Sequence, residues 1–589
     1  MSLRPEDFAA IAQAGSATFS RDGQTLFYLS GAGLSQVHAL NLTTGTRRQL
    51  TAHDEKVAIL RRAPQDDRIV YGIDRGGDER QQLLLLDPAA DAPAVKLTDN
   101  LSVIHDWGGW SPDGTRIAFA GNERNEAEFD AYVQDVATGE KRRVHRDTCM
   151  LSVAGFRPDG GALALVRDRA YGDMALLVLD LATGQAKSFR QTTDTNYQSV
   201  RWSKDGLTLL ALTDHGGEDF MRLCRLDPAT NTLTVVADAP GRDIDAWAIS
   251  ADATRLAVIE NDRGYAVLKM GPIDGPLTEV DGLPVGMISD PAFSPDGTTL
   301  VVTVSTPTLP SELWLARDGV ASPIDARTDD TPFGDFSLVE WDSFDGRRVP
   351  GWLALPAGKR PADGFPAVIW VHGGPVAQAR PNFRPDMQML LAQGFAVLMP
   401  NVRGSSGYGR AGCESDDLDK RLDCVADLAH GRHFLATLDA IDGNRIGVMG
   451  QSYGGYMVNA ALTEYPYLFK CAVNYYGIVD FTTTLDGTGP WRRSHRAAEY
   501  GDPQRDPELL ERISPMNHVD KIRVPMLLAH GERDPRVPIG ESMQLEAALQ
   551  ARQQTVFNLT FDYAGHGFVR PDDKRRIYTA VATFFTRYL

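Results

Sequence analysis

Arg445-Ile446-Gly447-Val448-Met449-Gly450-Gln451-Ser452-Tyr453-Gly454-Gly455-Tyr456-Met457-Val458-Asn459-Ala460-Ala461-Leu462 decides how the C-terminal half of the chain is read. The run through Met449 predicts a buried strand, and the segment from about Gly455 predicts a helix. Between them, glycines two places either side of Ser452 predict a turn too sharp for larger side chains. Strand, Gly-x-Ser-x-Gly turn and helix in that order are the setting of a nucleophile elbow. Such a turn lifts the hydroxyl above a sheet edge and aims a helix N-terminus at it, which favours developing negative charge. The pentapeptide alone is weak, because glycine-rich serine turns are common.

Its partners strengthen it. In α/β-hydrolases the nucleophile, acid and histidine follow in that chain order, the last two on loops after late strands. Asp534 follows the apolar run Met526-Leu527-Leu528-Ala529-His530, and His566 follows Phe557–Tyr563. The expected chemistry is that of a serine hydrolase with Ser452 as nucleophile. His566 takes its proton as general base, and Asp534 fixes the imidazole tautomer and stabilises the imidazolium. An oxyanion hole needs two donors. The backbone N–H of Tyr453 supplies one, and His372-Gly373-Gly374-Pro375 after another apolar run supplies the second, with Gly374 the expected donor. His372 is read as a brace for that loop.

Around this region, apolar runs alternate with helix-length segments from about Phe336, which predicts a parallel α/β sheet. The N-terminal half differs. A turn of the form Ser-x-Asp-Gly or Pro-Asp-Gly recurs with its aspartate at Asp22, Asp66, Asp113, Asp159, Asp205, Asp252 and Asp296, 44 to 47 residues apart. Proline presets φ, aspartate caps its own backbone and glycine takes positive φ. Repeats of this length with several short strands mark propeller blades. The expected organisation is an N-terminal helix in 1–13, a seven-bladed β-propeller over 14–325 and an α/β-hydrolase domain over 326–589.

Bulk properties narrow the partners. At 589 residues the chain exceeds one hydrophobic core. A net charge of −18 argues against nucleic acid. Five widely spaced cysteines without a C-x-x-C pair suggest neither a disulfide framework nor a zinc site. No run of 18 apolar residues points to the membrane, so a cytoplasmic protein is expected. No cofactor or metal is called for. His430 and His433 read as a solvated helix face, and the run Asp416, Asp417, Asp419, Asp423 and Asp427 as solvated surface.

With propeller spacing, Gly450-Gln451-Ser452-Tyr453-Gly454-Gly455-Tyr456, the His372 loop, Asn401-Val402-Arg403-Gly404-Ser405-Ser406-Gly407-Tyr408-Gly409 and Ala564-Gly565-His566, the chain resembles the prolyl oligopeptidase family of serine peptidases, most of all its acylaminoacyl-peptidase branch. The resemblance covers nearly the full length. It implies an N-terminal helix packed on the hydrolase domain, an active site between the domains and a propeller that screens out large folded substrates. By the same resemblance Arg536 binds a substrate carbonyl, a task suited to the guanidinium fork, and Ile478, Phe481 and Val537 line the pocket for the side chain preceding the cut. His372 stands where proline-specific and dipeptidyl members have a tyrosine. No Glu-Glu pair is present to hold a free amine, which leaves separate carboxylates such as Glu123, Glu126 and Glu128.

The expected substrate is a short peptide or acyl-amino acid, releasing an N-acylated or a free N-terminal residue. Aminopeptidase or dipeptidyl-peptidase activity and ester or small-amide hydrolysis use the same site. A propeller scaffold carrying a silent hydrolase is the alternative from another class. A homo-oligomer is compatible with all of these.

Overall fold

The computed structural model describes residues 3–90, 92–189, 194–325, 331 and 333–589. The expected domain boundary at 325/326 adjoins 326–330 and 332, which lie outside the described residues. Residues 13–323 form seven four-stranded antiparallel sheets in chain order. The recurrent turn joins the first two strands of a blade, and its aspartate organises it. Asp113 accepts from Ser111 Oγ (2.6 Å) and from the N–H of Thr115 (3.1 Å), and Gly114 takes φ 70°. Asp22, Asp205, Asp252 and Asp296 repeat the arrangement.

Neighbouring blades meet through apolar clusters, such as Phe27 and Tyr71 between blades 1 and 2 or Ile259 and Val302 between blades 6 and 7. The ring closes where Phe19 and Leu26 of blade 1 pack on Val301 and Leu313 of blade 7. All four strands of blade 7 lie within 287–323, so closure uses side-chain packing and no exchanged strand. This is a seven-bladed β-propeller followed by an α/β-hydrolase domain.

The second domain is built on one eight-stranded sheet. Its strands are β1 (Ser337–Asp342), β2 (Arg348–Ala354), β3 (Phe365–Val371), β4 (Ala396–Pro400), β5 (Ile441–Gln451), β6 (Ala472–Tyr475), β7 (Met526–Gly531) and β8 (Val556–Phe561), in the order β1-β2-β4-β3-β5-β6-β7-β8. From β4 onward the neighbours are parallel. Strand alternation divides β3 between two cores. Ala367, Ile369 and Val371 enter one cluster with Val448 and Met457, while Val368 and Trp370 enter the other with Met449 and Phe585. Helices α1 (Pro385–Ala392), α2 (Asp423–Ala436), α3 (Tyr453–Glu464) and α4 (Pro571–Tyr588) are among those covering the faces. The N-terminal turn Pro5–Ala10 buries Phe8 and Ala9 in the second cluster, beside Ile577 and Val581 of α4. Among the described residues no helix is long and apolar enough to cross a membrane.

The acidic run departs from its expected solvated role. Asp416 and Asp427 are wholly buried, whereas Asp419 is exposed. Asp427 accepts from the N–H and Nε of Arg403 (both 2.9 Å), from Arg403 Nη2 (2.8 Å) and from Ser343 Oγ (2.5 Å). A single charged partner would not offset such desolvation; a bidentate arginine with an added hydroxyl does. Asp427→Ala removes the buried partner of Arg403 and the acceptor of Ser343, leaving the guanidinium only the more exposed Asp345 and Asp423, so unfolding should become easier by about 3 kcal/mol. Urea titration checks this, and a change below about 1 kcal/mol would contradict the account.

Candidate active site

Parallel register brings the expected residues to one edge. Gln451 at the end of β5 pairs with Tyr475 of β6, Tyr475 with Ala529 of β7, and Gly531 of β7 with Phe561 of β8. Ser452, Asp534 and His566 leave this sheet at the same C-terminal edge, the usual place for ligands in α/β sheets.

Ser452 sits at φ 57°, ψ −122°, immediately before α3. The flanking glycines have steric causes. A Cβ on Gly450 would stand 2.3 Å from the carbonyl oxygen of Gly454, and one on Gly454 would stand 2.2 Å from that of Val371. The Ser452 N–H donates to Tyr475 O (2.9 Å), tying the turn to β6.

Asp534 and His566 meet across their loops. His566 Nδ1 and Asp534 Oδ2 are 2.6 Å apart, with Nδ1–H as donor to the carboxylate. The other oxygen, Oδ1, accepts from the N–H groups of Arg536 (2.8 Å) and Val537 (3.0 Å). Gly531 permits the two loops to touch, because a Cβ there would lie 2.2 Å from Ala564 O. Burial opposes ionisation of Asp534, but the charges and hydrogen bonds of His566 and His530 outweigh it and hold the carboxyl well below its usual range. Burial pushes the His566 imidazole down, offset in part by Asp534. The ring packs against Tyr476 at 4.6 Å between centroids. Ser452 Oγ and His566 Nε2 make no hydrogen bond with one another; such contacts often tighten only with substrate bound.

The His372 loop runs beside the elbow. A Cβ on Gly373 would stand 3.2 Å from Ser452 Cβ. His372 is buried, its Nδ1 2.7 Å from Gly373 O and its Nε2 3.0 Å from Ser405 Oγ. Arg496 donates to Gly374 O (3.2 Å) and so orients that peptide. Tyr453 N–H opens α3 on the other side of Ser452.

A cavity of about 450 Å³ lies between the domains. The hydrolase side contributes Gly374, Glu414, Asp417, Arg492, His495, Arg496, Glu499 and Arg536, and blade 4 contributes Asp168, Tyr171 and Met174. Arg536 borders it, and its Nε donates to Glu79 Oε1 (2.5 Å) from blade 2, while Arg492 Nη2 donates to Glu79 Oε2 (2.5 Å). Ile478, Phe481 and Val537 are buried in the core with Tyr456 and Tyr500, and none borders this cavity. Glu123 pairs with Lys141 and Glu128 with Arg124; neither these nor Glu126 lines it. His430 Nδ1 lies 3.2 Å from Asp342 O, its ring 6.1 Å from that of His433.

Residues 381–589 match the model of the prolyl oligopeptidase family. That stretch is a prolyl oligopeptidase family domain. It is 26% identical over 551 residues to dipeptidyl aminopeptidase BIII of Pseudoxanthomonas mexicana, an alignment covering 89% of this chain and 79% of that one. It is also 26% identical over 208 residues to the acylamino-acid-releasing enzyme of Rattus norvegicus, covering 34% of this chain and 28% of the relative. The crystal structure of a puromycin hydrolase superposes with a TM-score of 0.89 at 20% identity, covering 100% of this chain and 96% of that one. With this domain and these relatives the chain is a serine hydrolase.

Glu79, Arg492, Arg496 and Glu414 were not picked out from sequence. They sit on turns and short helices without a motif, and only docking of the propeller brings Glu79 to Arg536. Burial holds His566 below the usual histidine range, so with His566 as the base kcat/KM should fall on the acid side with a midpoint below the ordinary histidine value of about 6.5. A pH profile of kcat/KM checks this; a midpoint above about 7 would contradict it.

Proposed function

We propose that the protein is an exopeptidase acting on short peptides with a free N-terminus, through an acyl-enzyme on Ser452. His566 removes the hydroxyl proton as Ser452 attacks the scissile carbonyl, and then delivers it to the leaving amine. Asp534 keeps Nδ1 protonated and stabilises the imidazolium. The N–H groups of Tyr453 and Gly374 receive the oxyanion. Water then attacks the ester by the reverse proton route. The observation that carries this reading is the 2.6 Å His566–Asp534 contact at the sheet edge where the Ser452 turn projects.

The charge of the cavity supports a free amine. Its cations already have partners: Arg492 and Arg536 hold Glu79, and Arg496 lies 3.3 Å from Glu499. His495 faces Asp168 at 3.2 Å. Glu414 makes no ion pair among the described residues, so an N-terminal ammonium is matched there better than an acyl cap. Similarity to a dipeptidyl aminopeptidase over most of the chain points the same way. The five unpaired thiols suit a reducing compartment such as the cytoplasm.

Release of N-acylated residues is the second reading, favoured by the match to an acylamino-acid-releasing enzyme. Fluorogenic amides with a free amine should exceed their N-acetylated counterparts in kcat/KM by about tenfold or more. The reverse order would select the second reading, and simple esters outpacing every peptide about a hundredfold would remove peptidase activity as the main function. Ser452→Ala should lose fluorophosphonate labelling and at least about 10⁴-fold in kcat while remaining folded. Turnover near that of the parent would refute the nucleophile.

A further inference from the structure

Tyr453 contributes a buried side chain as well as a backbone N–H. Its ring lies at the first turn of α3, stacked at 8° on Tyr500. The phenol donates to Asp416 Oδ2 (2.8 Å) and accepts from Arg421 Nη1 (2.9 Å). Arg421 is completely buried. Its Nη1 donates to the same Asp416 oxygen (2.5 Å), its Nη2 donates to Glu499 O (2.9 Å), and its guanidinium lies over the rings of Tyr453 and Tyr500. Gly404 leaves room for the carboxylate, since a Cβ there would stand 2.3 Å from Asp416 Oδ1.

An ion pair so far from water is poor value as a source of stability, because a well-packed apolar replacement commonly serves as well. What it supplies is direction. The phenol is a rigid arm on the same Cα that carries the N–H beside Ser452. Fixing the far end of that arm fixes the orientation of the N–H bond, at a turn whose serine is itself held in an uncommon conformation. The segment carrying Asp416 and Arg421 is also tied to blade 5. The N–H of Arg410 donates to Asp219 O (2.7 Å), that of Ala411 donates to Asp219 Oδ1 (2.8 Å), and the Arg410 guanidinium pairs with Asp214 (2.7 Å).

We propose that Asp416 and Arg421 are positioning residues that hold Tyr453 so that its N–H points at the developing oxyanion, with the propeller bracing the segment that bears them. The inference rests on the assignment of Ser452 and Tyr453 given above. Tyr453→Phe removes only the hydroxyl and keeps the ring; Asp416→Asn keeps the volume and removes the charge. Each variant is compared with the parent per active site titrated with a fluorophosphonate. The expected result is a loss in kcat of about tenfold to a hundredfold with KM within about twofold. A peptidyl boronate, whose tetrahedral adduct occupies the oxyanion position, should weaken by a similar factor. A purely structural role would lower the melting temperature or the titratable fraction and leave kcat per titrated site unchanged; that outcome in either variant overturns the proposal. If instead the parent takes no label at Ser452, the assignment beneath the proposal has failed.

Discussion

Ser452 occupies a left-handed conformation at φ 57° that most side chains avoid, and the surrounding backbone leaves it no alternative. Gly450 and Gly454 pass each other with no room for a Cβ, and Gly454 also abuts the carbonyl of Val371 in the neighbouring strand. The turn can exist only while β3, β5 and α3 are packed as they are. Its tension is stored by the sheet, and the return is a hydroxyl held clear of its own backbone. The other site elements are arranged around that fixed point.

The propeller is part of this arrangement. Blade 2 inserts its 74–79 turn against the histidine loop, where the N–H of Gly565 donates to Gly76 O at 2.6 Å. A Cβ on Gly565 would stand 2.0 Å from Gly77 O and one on Gly76 1.9 Å from Tyr563 O, so the two loops fit because positions 565 and 76 are glycines. The same turn supplies Glu79 to Arg536, which follows Asp534 by two residues. Blade 4 walls the cavity, and blade 5 grips the segment leading to Arg421. Three blades thus touch loops that carry or border Ser452, Asp534 and His566. Propeller loops therefore form part of the cavity wall, the placement that the family resemblance implies for a domain that screens substrates.

Much of the fold was legible because its signals are local. A serine or arginine, an aspartate and a glycine at a fixed spacing close a turn by themselves, so repeating turns reveal repeating blades. Glycines around Ser452 report a steric need that operates within five residues. The acidic run around Asp416 and Asp427 was misread for the opposite reason. On a linear count it is a cluster of charges on a surface, yet Asp427 is buried by Arg403 and Ser343, and Asp416 by Arg421 and Tyr453. Burial of a carboxylate depends on partners that the chain brings from elsewhere, and its own neighbours do not announce them.

The sequence by itself determined the two architectures, the chain order of Ser452, Asp534 and His566 and the glycine-lined elbow, because short-range sterics and strand periodicity are written in adjacent residues. Tertiary structure alone decided that Arg536 faces Glu79, that Glu414 stands on a cavity wall with no ion pair among the described residues and that Arg421 reaches the hydroxyl of Tyr453. Those contacts join loops with no shared pattern, and their electrostatics depend on how much water the packing excludes. Charge in a sequence is a count, whereas charge in a site is set by burial and by the distance to its counterpart.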